Sequence, residues 1–272
     1  MSDNSQACTV SSTELAAYDA AVQRGFFGVK PVRILIEERL AHPGAINDQD
    51  RRIWAFAILG TLNKLLYDLN RARQFIEAGL LESEDSDDRG IQIRRAYLLD
   101  QYGSLSAMSG NYETARQAFQ DEVDLIQGMA DDPSQPKPSV VSAYRGLASA
   151  LKALGLTQEA QTALFAASQA AAQEPENPEN QALVALQSFE WEAAQPGAPL
   201  PDEGALESMP TEQLVGRVLT LNIRAKAHLE HGDQAEGARL LRLAYREAVR
   251  LEFGGEVQTA LSLSNQYGVT LN

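Results

Sequence analysis

Cysteine is almost missing from this chain: Cys8 is the only one in 272 residues. One thiol can make neither an intrachain disulfide nor a cysteine-based zinc cluster, so the fold does not depend on an oxidising compartment. Basic residues are also in deficit, with 23 Lys plus Arg against 37 Asp plus Glu and a formal charge of −14. That balance argues against binding to phosphate backbones, and so against nucleic acid as the partner. No stretch approaches the roughly 18 uninterrupted apolar residues that crossing a bilayer requires. The polar segment 1–10 lacks the basic and apolar regions of a secretory signal. These absences predict a cytoplasmic protein that does not engage membranes. Histidine is limited to His42, His228 and His231, and no H-E-x-x-H, G-x-x-x-x-G-K-[ST] or G-x-S-x-G motif appears. The expectation is a non-catalytic protein without a cofactor or a metal.

What the chain does have is enough apolar content, 44% hydrophobic against 22% charged, for a sizeable core or a short solenoid. Apolar residues recur every three or four positions and strict alternation is scarce, which predicts an all-α fold. Ser11 and Glu14 form an S-x-x-E capping box, so a helix should begin there and place Leu15, Tyr18 and Val22 on one side. Pro31 suits the first turn of a second helix in which Val32, Leu35, Ile36 and Leu40 share a face, ended by Pro43 and Gly44. A short strand over 32–36 is the alternative.

From Arg52 onward an internal repeat appears. Phe56, Leu59, Gly60, Ala72 and Ile76 align without gaps to Leu99, Tyr102, Gly103, Ala115 and Phe119. They align next to Tyr144, Leu147, Ala148, Ala160 and Leu164, and last to Leu221, Arg224, Ala225, Gly237 and Leu241. In each unit two small residues stand twelve positions apart, the spacing that brings them face to face across a helix hairpin whose backbones approach closely. Gly110, Gly155 and Gly232 follow the first small residue by seven positions, where a tight turn needs positive φ; Tyr67 takes that place in the first unit. Successive units are offset by 43, 45 and 77 residues.

These residues resemble the tetratricopeptide repeat family, in its longer variant of about 42–45 residues per unit. The match is fullest over 142–172, nearly as full over 99–119, and departs at Arg224 and His228 in the last unit. The resemblance implies a right-handed α-solenoid of antiparallel hairpins. Residues 1–51 would form N-terminal helices and 53–173 three repeats. An irregular half repeat with a proline-rich loop would cover 174–210, a last repeat 211–252, and a capping helix 253–272. A helix over 179–194 would bury Leu183, Leu186 and either Phe189 or Glu190. The connection 195–210 is either a passive insertion or a partner contact.

In that family the first helix of each unit lines a concave groove, and the register carries over to Trp54, Ala57, Thr61 and Lys64 from the first unit. Tyr97, Asp100 and Ser104 follow, then Ser142, Arg145, Ser149 and Lys152, and finally Asn222 and Lys226. This mixture of aromatic, hydroxyl and cationic groups suits a peptide or protein partner; solvated polar positions with no ligand are the plain alternative. Asp100 and Ala57 replace residues of the family's carboxylate clamp, which argues against a chaperone C-terminus as ligand. A peptide-responsive regulator is a second reading. A metal-dependent hydrolase using His228 and His231 is a third. The acidic run Glu82, Glu84, Asp85, Asp87 and Asp88 fits a helix-initiating turn better than a calcium loop, since Arg89 and Ala96 stand at ligand positions. Arg239, Arg242, Arg246 and Arg250 form a stripe that is either an outer face or a contact for an acidic partner or a second copy, which leaves a homo-oligomer open.

Overall fold

The computed structural model describes residues 10–23, 29–43, 46–130, 132, 137–175, 177–193, 214–251 and 253–271. Twelve α-helices and no strand occur among them. They are α1 (Ser12–Gln23), α2 (Val29–Arg39), α3 (Gln49–Leu65), α4 (Leu69–Glu82), α5 (Arg89–Met108) and α6 (Tyr112–Gly128). The chain continues with α7 (Val141–Ala153), α8 (Thr157–Ala172), α9 (Pro178–Ala193), α10 (Leu214–Glu230), α11 (Gln234–Arg250) and α12 (Gly254–Tyr267). The 195–210 connection lies outside the described residues, as does Cys8.

The capping box forms: Ser11 N donates to Glu14 Oε2 at 2.9 Å, and Glu14 N donates to Ser11 Oγ at 3.2 Å. Residues 32–36 are helical, which removes the strand alternative. Part of the face expected from Val32, Leu35, Ile36 and Leu40 is not buried, however. Ile36 and Leu40 are buried, whereas Leu35 and its neighbour Ile34 are exposed, so Leu35 does not belong to the packed side. Leu15, Ile36 and Leu40 close over Ile58 and Leu62 of α3.

The repeat is visible as backbone geometry. Tyr67, Gly110, Gly155 and Gly232 all adopt positive φ, at 62°, 76°, 78° and 85°. In each turn the following residue donates its N–H five positions back: Asp68 to Asn63, Asn111 to Ser106, Leu156 to Leu151 and Asp233 to His228, at 2.8–2.9 Å. That bond closes a Schellman turn and satisfies a carbonyl at the helix end. The offset of 77 residues therefore ends in the same turn as the offsets of 43 and 45, and the register of the last unit holds despite Arg224 and His228.

The hairpins α3/α4, α5/α6, α7/α8 and α10/α11 pack closely. A Cβ placed on Gly60 would lie 2.6 Å from Ile76 Cγ1, so any side chain at this crossing would have to displace Ile76. Ala148 and Ala160 are both fully buried in one cluster. Gly237 lies against Leu229, one helical turn beyond Ala225. Phe119 plugs one unit into the next: a Cβ at Gly103 would stand 2.7 Å from its ring and one at Gly146 2.4 Å. Two glycines thus make a socket for one aromatic knob, as close-packed interiors require.

The stack does not remain open. Helix α3 packs on α5, α5 on α7, α7 on α9, α9 on α10, α10 on α12, and α12 returns to α3. Six helices therefore make an inner ring, with α4, α6, α8 and α11 paired to it as hairpin partners. The final contact depends on a missing side chain, since a Cβ on Gly254 would stand 2.6 Å from the Leu66 carbonyl oxygen. The first helices of the units, expected to line an open concave side, instead surround a common centre that is open to solvent. Among the described residues no helix is long and apolar enough to cross a membrane.

Candidate functional site

The first helix of every unit faces the centre of the ring, so the residues placed in a groove by sequence do converge, but largely on one another. Arg94 forks onto the Asp50 carboxylate, one step around the ring, with Arg94 Nη2 at 3.1 Å from Asp50 Oδ2. Thr61, 5% exposed, shares a 2.8 Å hydrogen bond with the Tyr97 hydroxyl. Ser142 Oγ donates to Asp100 Oδ1 at 2.8 Å. Between α10 and α12, Asn222 Nδ2 donates to Glu256 Oε2 at 2.7 Å. These bonds form a polar ladder from one inner helix to the next.

Gln187 of α9 supplies a rung that sequence reasoning missed. Its amide nitrogen donates to the Arg145 carbonyl at 3.0 Å and to Ser149 Oγ at 2.8 Å, while its oxygen accepts from Arg145 Nε at 3.1 Å. The signal available in sequence was spacing: Gln187 lies 42 residues after Arg145, as Ser142 lies 42 after Asp100. Sequence places the apolar face of the 179–194 helix at Leu183, Leu186 and either Phe189 or Glu190. Of that face Leu183 is only half-buried, and its neighbour Val184, which was not expected there, is buried; the side chains of Leu186, Phe189 and Glu190 lie outside the described residues.

Among the described residues two cavities meet at Leu219 and Ile223 of α10. One of about 260 Å³ is lined by Asp100 and Ser104 of α5, Phe119, Ser142, Arg145, Gly146 and Ser149, Gln187, and Leu219 and Ile223 of α10. The other, about 660 Å³, shares Leu219 and Ile223 and adds Asn222, Lys226, Tyr67, Met108, Tyr112 and residues of α12. Seven of the residues expected in the groove therefore line a cavity: Asp100, Ser104, Ser142, Arg145, Ser149, Asn222 and Lys226.

Others do not. Trp54 donates its indole N–H to Asp19 Oδ2 of α1 at 3.1 Å, and the Arg94 guanidinium lies 4.0 Å over its ring. The N-terminal helices thus take over the surface where a ligand contact was expected. Ala57 is buried in the core. Lys152 is exposed and stacks its ammonium 4.5 Å from the Trp191 ring centre, a cation–π pairing with α9.

Charge inside the ring centres on Asp100. Burial lowers the pKa of Lys64, and the Asp100 carboxylate pulls it partly back. Glu122 of α6, 4% exposed, has its carboxyl pushed up to about 10, first by burial and then by the negative charge of Asp100. Its Oε2 has no hydrogen-bond partner. Sequence could have flagged this group, since Glu122 stands where the other units carry Gly79, Ala167 and Ala244. Burial also raises the Glu256 pKa, against the opposing hydrogen bond from Asn222.

Members of the charged runs elsewhere engage nearby groups. Asp88 caps α5 by accepting from Ile91 N at 3.1 Å, and Glu82 pairs with Arg52 at 2.6 Å, which fits a helix-initiating turn. Arg239 and Arg250 pair with Glu236 and Glu247 on their own helix, and Arg242 donates to the Thr270 carbonyl. His228 Nδ1 lies 3.1 Å from Asp233 Oδ2 across the last turn. Among the described residues no group of three or more His, Cys, Asp or Glu side chains is arranged to hold a metal.

No protein-family model matches the chain, and no curated protein matches it at a significant level.

Proposed function

We propose that this chain is a tetratricopeptide-like binding module, cytoplasmic and non-catalytic, that recognises a short segment of a peptide or protein in the centre of its helical ring. One observation carries this reading. Asp100, Ser142, Arg145, Ser149 and Gln187, from three successive inner helices, converge on one cavity together with the apolar Leu219 and Ile223. Hydroxyl, amide, carboxylate and guanidinium groups in one wall offer donors and acceptors to a peptide backbone and its side chains. Their existing mutual hydrogen bonds hold them in place, which lowers the ordering cost of binding. A ligand enters by exchanging partners along the ladder.

The ring closure favours the peptide-responsive regulator as a second reading, because the larger cavity, which shares Leu219 and Ile223 with the first, is lined both by Tyr67 of the first hairpin and by α12. The hydrolase reading draws on His228, whose ring is taken up by Asp233 at the turn.

A display library of random decapeptides panned against the full chain and against an Asp100→Ala, Arg145→Ala double variant tests the proposal. Selected peptides should bind the wild type at least tenfold more tightly than the variant, with both proteins equally helical by circular dichroism. Equal affinities would remove this cavity from the reading.

A further inference from the structure

The outer face of α8 differs from that of every other second helix in the repeat. Five positions after the second small residue, the first, second and last units carry Glu77, Gln120 and Arg242, whereas the third carries Phe165. That ring is 63% exposed. Around it Gln161, Thr162, Ser168 and Gln169 are exposed as well, and their spacing of three and four puts them on the same side of the helix as Phe165. None of the five is charged. The exposed residues of α4 include Arg71 and Glu77, those of α6 Glu113, Asp121 and Asp124, and those of α11 Arg239, Arg246 and Arg250. Helix α8 exposes one charged residue, Glu159, in its first turn. In α6 the amides of Gln117 and Gln120 donate to Asp121 and Asp124 of their own helix at 2.8 and 2.9 Å. In α8 those two acids are replaced by Ala166 and Gln169, so its outer amides have no such carboxylate to bind.

The second observation is the order of these residues. Read from Phe165 in either direction, the face presents a hydroxyl residue at three positions and a glutamine at four: Thr162 and Gln161 on one side, Ser168 and Gln169 on the other. Phe165 is also the middle of α8, which runs from Thr157 to Ala172. Two such faces laid antiparallel across a two-fold axis at Phe165 meet residue for matching residue. Phe165 of one copy packs on Phe165 of the other, Thr162 meets Ser168, and Gln161 meets Gln169. Amides and hydroxyls both donate and accept, so each can bond its counterpart. A face carrying charge of one sign would instead repel its own copy.

We propose that the outer face of α8 is an isologous contact surface for a second copy of this chain, with the two-fold axis at Phe165. The mirrored order is what a two-fold contact requires, and a different partner would not require it. Charge points the same way. Each copy has a formal charge of −14, so two copies repel each other, and an uncharged face is where that repulsion is least concentrated. Aromatic pairing at the axis supplies the apolar centre, and the flanking amides and hydroxyls supply the polar rim. One helix pair buries less than the roughly 1,200 Å² at which specific interfaces become stable, so the dimer is weak, with a dissociation constant on the order of 100 μM. Apart from the ring of Phe165, the contact needs no residue that packs the fold. None of the five residues lines either cavity, so the contact is independent of the peptide reading.

Sedimentation equilibrium of the full chain, from about 1 to about 500 μM in about 150 mM salt, tests the proposal. The mean mass should rise from that of a monomer toward that of a dimer. Phe165→Glu should weaken association at least tenfold while melting as the wild type does, because the ring is largely outside the core. Gln161→Lys combined with Gln169→Lys sets like charges against each other across the axis and should weaken association about tenfold, even though it lowers the net charge. Gln161→Lys combined with Gln169→Glu sets opposite charges there and should hold or strengthen it. Arg246→Ala, on the α11 stripe, should change nothing. A monomer at every concentration, a dimer indifferent to Phe165→Glu, equal effects of the two glutamine pairs, or loss of the dimer in Arg246→Ala would each overturn the proposal.

Discussion

The third hairpin and the first two use the same backbone but treat it differently. In α7/α8 every patterned position holds what the geometry asks for: Ala148 against Ala160, Gly155 in the turn, and Ala167 where the second helix faces its neighbours. The first unit departs once, with Tyr67 in the turn, and the second departs once, with buried Glu122 in place of a small residue. Both departures carry a stability cost: Tyr67 lines the larger cavity, and Glu122 is buried within reach of the Asp100 charge. A repeat protein can be read as a set of internal controls: the regular unit shows what folding requires, and the irregular ones show where something besides folding was accommodated.

That comparison can be broken most severely where units join. Phe119 fills the socket between Gly103 and Gly146 and links the second unit to the third. Phe119→Ala should cost about 4 kcal/mol in urea denaturation. A loss under 1 kcal/mol would mean that the units are not coupled through this knob.

The next effect concerns Glu122. Its folded pKa is raised to about 10 from an ordinary 4.5, so the folded chain holds a proton that the unfolded chain releases above pH 4.5. The contribution to stability is fully present below pH 4.5 and is lost progressively as pH rises toward 10. Glu122→Gln cannot titrate, and should be more stable than wild type by about 3 kcal/mol at pH 7. The difference should vanish near pH 4.5. Parallel stability curves for the two proteins between pH 5 and 9 would show that the carboxyl is not held neutral.

The smallest effect sharpens the turn comparison. Gly155→Tyr places the first unit's turn residue in the third unit, where nothing lies within 4 Å of the new Cβ. Only the backbone is penalised, by about 1 kcal/mol. Thermal melting unchanged within error would indicate that these turns tolerate any residue, and that Tyr67 is not strained.

Local rules account for what could be read without coordinates. Ser11 and Glu14 announce a helix start through a capping box that needs only four consecutive residues. Gly110, Gly155 and Gly232 announce turns because positive φ is a property of one residue. The 43- and 45-residue offsets gave the hairpins and the polar faces of their first helices. Ring closure could not be read in this way, because it depends on small rotations accumulated over six inner helices and on Gly254, one glycine among 19 in the sequence. The surroundings of Trp54 are illegible for the same reason: α1 comes to it from outside the repeat and engages its indole. Gln187 and Glu122 were legible in principle, through spacing and through a broken small-residue position, but both needed the repeat applied to residues outside its apolar signature.

The meeting of α12 with α3 has a consequence for how the chain comes apart. In a linear array each unit leans only on its neighbours, so terminal units fray while the middle survives, and equilibrium unfolding spreads into stages. Joining the two extremities removes that freedom at the C-terminal side, since detaching α12 also uncovers the first hairpin. Melting should then be one concerted event, and cutting the chain after Leu251 should divide it into separate steps.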